Sequence, residues 1–189
     1  MSELTSALER IAAWYQENKP QFCPVFQPGL SQPNIDELVK DLGFSVPNEI
    51  YELYEWCNGC SLKEPIAFHS YYLLPLEQVV RLRKDKYGLN YGESWMQDDP
   101  SWFPVFKVWS THAFLVIILG DKEKSLVQIY DPECENYNVR YESLTNLLLH
   151  SAKWLEAAKH HEKIGGFWEV ERSIDAQLMV KYCIREPLG

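Results

Sequence analysis

Residues Trp56-Cys57-Asn58-Gly59-Cys60 place two thiols three positions apart behind a tryptophan, the spacing of a dithiol redox motif. That chemistry needs the first thiol at a helix N-terminus, where free N–H groups and the helix dipole favour the thiolate. Here the preceding residues carry the helical pattern. Cys57 is therefore expected at the C-terminal end of a helix, in register with its buried face, and no strand pattern precedes it. A packed structural thiol is the expectation. A zinc half-site would need a second cysteine pair, and Cys23, Cys134 and Cys183 are scattered singly.

The five histidines give no chelating pattern. His160 and His161 are adjacent, so on a continuing helix they would point about 100° apart. Glu156 and His160 would share a face there, as an exposed helix pair. His69 and His112 stand alone beside strand patterns. Two acidic groups remain. One is Glu93, Asp98 and Asp99 around Trp95, and the other is Asp131, Glu133 and Glu135. A calcium loop would alternate oxygen ligands around a sharp glycine turn, and Pro132 breaks that pattern. These carboxylates read as solvated loop charge or as an edge offered to a basic partner. Trp95, a loop tryptophan among polar residues, is a candidate contact anchor. No serine or cysteine sits in a glycine-rich elbow, no phosphate loop precedes a helix, and basic residues do not cluster with aromatics. No catalytic, cofactor-binding or metal-binding residue is expected.

The chain of 189 residues suits one well-buried core, with 46% hydrophobic and 14% aromatic residues. Its formal charge of −9 disfavours nucleic acid and anionic membranes and favours a basic partner. The N-terminus lacks the pattern of a signal peptide. The most apolar run, Ala113 to Leu119, is far short of the about twenty residues that span a bilayer. Five irregularly spaced cysteines suit reduced thiols. A cytoplasmic location is expected.

The elements follow from periodicity. Leu4, Leu8, Ile11 and Tyr15 mark a first helix that stops before Pro20, and Pro20 to Gly29 reads as a loop. A second helix starts near Pro33 under a Ser31 or Asn34 cap, buries Ile35, Leu38, Val39 and Leu42, and stops at Gly43. A third runs from Pro47 to about Cys57 with Asn58-Gly59 closing it. Strands are expected over Ala67 to Leu74, Trp102 to Trp109 (edge or bulge at Pro104), Ala113 to Leu119, Leu126 to Tyr130 and Val139 to Tyr141, with a short helix from Leu76. A long helix opens at Ser143-Leu144. Gly165-Gly166 breaks the chain, Phe167 to Val170 reads as extended, and a last helix starts under Ser173 or Asp175. Helices at both ends around consecutive strands argue for one α+β domain with a mainly antiparallel sheet.

The order Gly43-x-x-Val46-Pro47, then Tyr51, Trp56 and Asn58-Gly59 resembles the signature of the SUKH superfamily, which includes fungal cell-wall-assembly regulators and many bacterial immunity proteins. Leu73-Leu74-Pro75-Leu76-Glu77-Gln78-Val79, Trp102-Phe103-Pro104-Val105, Leu126 to Asp131 and Ser143 to Leu155 resemble its later segments. The likeness runs from about residue 35 to 155. The first helix and the tail lie outside it, although fungal-type members carry comparable extensions, as Trp168 and Lys181-Tyr182 do here. The segment between Leu126 and Val139 departs from the pattern in lacking glycines.

The resemblance implies a single domain over 1–189, helices packed on a curved sheet, no cofactor, and a protein partner. That partner would be a toxin domain, of nuclease type or otherwise, if the chain is an immunity protein. The alternatives are a regulatory scaffold of cell-wall synthesis and a thiol-based or other small enzyme. A monomer or weak dimer is expected.

Overall fold

The computed structural model describes residues 1–20, 25–61, 71–84, 101–108, 113–130, 138–161 and 167–184. The first helix, α1 (Glu3–Asn18), starts under Ser2, whose hydroxyl accepts the Thr5 N–H at 3.1 Å. It buries Leu4, Ala7, Leu8, Ile11 and Tyr15, the stripe that its spacing predicts. Strand β1 (Val25–Pro28) follows, then α2 (Gln32–Val39), with Ser31 at its N-cap and Pro33 in its first turn. Helix α2 stops at Val39, short of Gly43. Leu42 still turns inward, and its N–H bonds back to the Val39 carbonyl at 3.0 Å. Gly43 then takes a φ of +77°, a left-handed conformation that suits glycine.

Helix α3 (Asn48–Trp56) buries Ile50, Leu53 and Tyr54 completely. Pro47 is its N-cap, one position before the place expected for it. Its C-terminal end differs from expectation. The chain goes extended at Cys57 and continues as strand β2 (Cys57–Ser61), antiparallel to β1. Asn58-Gly59 thus lies within a strand instead of closing the helix. Residues Pro20 to Gly29 likewise contain a strand where a loop is expected. The two errors have one cause: each strand is extended only because the other, some thirty residues away, takes its hydrogen bonds.

The main sheet has the order β3 (Tyr71–Leu73), β4 (Trp102–Val108), β5 (Phe114–Ile118), β6 (Val127–Tyr130), β7 (Val139–Tyr141), and every neighbour is antiparallel. Strand β5 is central, and Phe114 to Ile117 are buried on both faces. Pro104 sits at a register shift inside β4, the bulge that its missing N–H allows. Helix α4 (Leu76–Lys84) follows β3 directly and packs on β4.

Helix α5 (Leu144–Ala157) starts under Ser143, whose hydroxyl accepts the Asn146 N–H at 3.0 Å, and packs against α1. The chain then leaves the helix, so His160 and His161 stand in a short strand, β8 (Lys159–His161), paired with β9 (Phe167–Glu169). The helical pairing of Glu156 with His160 does not form. Instead, Glu156 bonds Arg10 of α1 at 2.6 Å and Lys153 at 3.0 Å. Helix α6 (Arg172–Tyr182) starts at Glu171, not under Ser173 or Asp175. The result is an α+β fold with an antiparallel main sheet and helices at both ends of the chain. Among the described residues, no helix is long and apolar enough to cross a membrane.

Candidate functional site

Helix α3 and the strand that follows it set the geometry of their surroundings through three side chains that reach other helices. Glu49 receives the Leu144 N–H at 3.0 Å, the Thr145 N–H at 3.2 Å and the hydroxyls of Thr145 and Ser125. A carboxylate at the N-terminus of α5 satisfies orphan N–H groups and complements the helix dipole. Glu52 serves α1 in the same way. It accepts the Thr5 hydroxyl at 2.6 Å, the Thr5 N–H at 3.2 Å and the Ser2 hydroxyl. Just beyond α3, Asn58 receives the Leu76 N–H at 2.8 Å and donates to Glu77, so it caps α4. Three helices are thus capped from one stretch of chain.

Close backbone approaches hold this stretch in place. Gly59, at φ +89°, lies against Pro75, and a Cβ there would come within 2.8 Å of the Pro75 nitrogen. The buried Tyr54 hydroxyl donates to the Leu74 carbonyl at 3.0 Å. On the other side Gly29 touches the end of α3, where a Cβ would meet the Glu55 carbonyl oxygen at 1.8 Å. The Leu30 N–H donates to the Tyr54 carbonyl at 2.8 Å. Trp56 packs edge-on to Phe26 with ring centroids 4.9 Å apart.

With the ends so held, α2 and α3 leave a cleft of about 730 Å³ between them. Its apolar lining comes from Val39, Val46, Phe44 and Tyr51, and its carboxylates are Asp36, Glu52 and Glu55. Val39 and Val46 are buried, whereas Phe44 is 39% exposed. The Tyr51 hydroxyl donates to Asp36 Oδ1 at 2.9 Å and so ties the two helices. Burial, and then the Asp36 carboxylate, holds that hydroxyl above its ordinary range, so it remains a donor. The turn between β5 and β6 closes one end. The Asn48 N–H donates to the Lys122 carbonyl at 2.8 Å, and the Gly120 N–H to the Ser45 carbonyl at 2.9 Å.

The residues singled out in the sequence divide sharply. Tyr51 lines the cleft and Gly43 and Pro47 flank the lining residues Phe44, Ser45 and Val46, while Trp56, Asn58 and Gly59 anchor the far end of α3. Glu93, Trp95, Asp98, Asp99, Asp131, Glu133 and Glu135 lie outside the described residues. Asp36, Phe44 and Glu55 were not singled out, although the sequence carries a signal. Residues 32–56 hold Asp36, Glu37, Asp41, Glu49, Glu52 and Glu55 against Lys40, a net −5 of the chain's −9.

The two thiols of β2 are buried, and burial pushes Cys57 up to about 12 and Cys60 up to about 11. Both are protonated at neutral pH, the opposite of what an attacking thiol needs. Among the described residues, no three His, Cys, Asp or Glu side chains are grouped to hold a metal ion.

The model of the SMI1/KNR4 family (SUKH-1) matches residues 29–150. The chain belongs to the SMI1/KNR4 (SUKH-1) family. The match begins at Gly29, the residue pressed against the end of α3, and ends within α5 at His150. It therefore spans the cleft, the capping residues Glu49 and Asn58, and the main sheet. The family stretch excludes α1 and α6, yet both pack on α5. No curated protein matches the chain.

Proposed function

We propose that this SMI1/KNR4-family chain is a non-catalytic protein-binding domain of the immunity type, which binds and neutralises a basic toxin domain in the cytoplasm. The observation that carries the reading is the family match over residues 29–150. The charge of −9 supports it, since opposite fields speed the capture of a basic partner. The packing of α1 and α6 on α5 supports reading the chain as one domain.

The experiment is co-expression with the C-terminal domain of any large secreted protein encoded by a neighbouring gene of the native host, followed by co-purification. Growth rescue together with a stable stoichiometric complex is the expected result. Toxicity unchanged, with no complex formed, overturns the immunity reading.

The second reading is a regulatory scaffold of the fungal type. The C-terminal extension favours it, where Trp168 lies in β9 and Tyr182 is buried at the end of α6. Retention of cell-wall-synthesis proteins from the native host, with no toxin rescue, is the outcome that selects it.

A further inference from the structure

We propose that the cleft between α2 and α3 seats a basic segment of the protein partner, which presents an arginine or lysine to Asp36 and Glu55 and an apolar side chain to Phe44. This rests on the protein-binding reading above and adds the surface and the chemistry of its occupant. The cavity is the primary observation. At about 730 Å³ it falls within the range of ligand-binding clefts, and its lining mixes apolar side chains with carboxylates and other polar groups.

The charges in the cleft are not equivalent. Glu52 is engaged at the N-terminus of α1. Asp36 uses Oδ1 for Tyr51, and a carboxylate has capacity for further donors. Glu55 stands one helical turn beyond Glu52 and is exposed. Two cations line the same cleft. Lys40 is bonded to Glu37, which offsets its charge, and Lys122 stands at the end closed by the turn. The lining carboxylates Asp36, Glu52 and Glu55 outnumber Lys40 and Lys122 by one, so the cleft is net −1 and a cationic side chain is attracted.

Phe44 supplies the apolar half. It is 39% exposed although the Arg83 guanidinium lies 5.6 Å from its ring centroid. The ring thus already holds one guanidinium and still offers open apolar surface. An occupant with alternating cationic and apolar side chains matches both halves; a purely cationic one leaves Phe44 in water.

The test titrates the full chain, labelled for amide NMR, with a capped hexapeptide alternating arginine and leucine. Shifts should concentrate in residues 36–55 and at Lys122. Affinity should fall several-fold as salt rises from about 50 to about 300 mM. The D36N/E55Q variant should bind about tenfold more weakly, and F44A should lose affinity without losing the salt dependence. The E9Q/E17Q variant changes net charge equally on the exposed face of α1 and should bind as the parent does. Circular dichroism of each variant checks that folding is intact.

Equal losses in D36N/E55Q and E9Q/E17Q would reduce the effect to net charge and overturn the proposal. So would shifts centred elsewhere, or spermidine binding the cleft as tightly as the peptide. A chain that rescues growth from a toxin while D36N/E55Q rescues equally well keeps the protein-binding reading and removes this site from it.

Discussion

Asn58 caps a helix that begins eighteen residues later: its side-chain oxygen receives the Leu76 N–H at 2.8 Å while its amide donates to both carboxylate oxygens of Glu77. Asn58 is buried, so these bonds have little water to replace them. N58A should therefore lower stability by about 1–3 kcal/mol, the range for a lost cap plus an unsatisfied buried group. N58D should cost more than a cap alone would explain, since it sets a second carboxylate against Glu77. Urea midpoints of the three proteins check both the size and the order. A midpoint for N58A equal to the parent's would show that α4 does not depend on this cap.

Glycines on this path differ in what surrounds them. At Gly43 an added Cβ meets nothing within 4 Å, and only the φ of +77° opposes it. G43A should cost about 1 kcal/mol. At Gly29 the Cβ would collide with the Glu55 carbonyl, and at Gly59 with Pro75 at an unfavourable φ. G29A and G59A should each cost more than G43A, by about 2 kcal/mol or more, because backbone must move. Thermal unfolding of the three variants ranks them.

Glu49 and Glu52 cap different helices, α5 and α1, from the same helix. Each glutamate-to-alanine change should cost about 1–2 kcal/mol. The two should not add fully, since α1 and α5 pack on each other and on α3. A double-mutant cycle by denaturant unfolding measures the coupling. Strict additivity would mean that the two caps act independently.

The pH dependence follows from the buried thiols. Burial raises Cys57 to about 12 and Cys60 to about 11, from an ordinary value near 9.0. A raised thiol binds its proton more tightly in the folded chain. Its contribution is fully present below the unfolded value and is lost as pH rises through the folded one. Stability should therefore fall from about pH 9 towards 11–12. The C57S/C60S protein should lose part of that slope. Tyr54, Tyr71, Tyr141 and Tyr51 are also raised by burial and add to the slope above their ordinary value of 10.0. Native thiol labelling at neutral pH should be slow and should speed up in urea. Fast labelling of the folded protein at pH 7 would restore the redox reading of this motif.

The sequence by itself determined the helices and the centre of the sheet. The stripes in α1 and α3, the opening of α5 at Ser143, and the apolar run of β5 are local patterns. Each is set by neighbours within a few residues, so each is legible. The family signature belongs with them, since Gly43, Val46, Pro47 and Tyr51 describe one turn and the helix after it. What only the tertiary structure decided depends on distant partners. Strands β1 and β2 are extended because of each other, and His160 leaves the helical pattern to pair with Trp168. Asn58 reads as a turn former locally but is a cap for α4, and Glu49 and Glu52 read as helix surface but are caps for α5 and α1. The cleft arises in the same way. Asp36, Phe44 and Glu55 become one surface only after packing sets α2 against α3, because a side chain's chemical role depends on what folding brings within hydrogen-bond range.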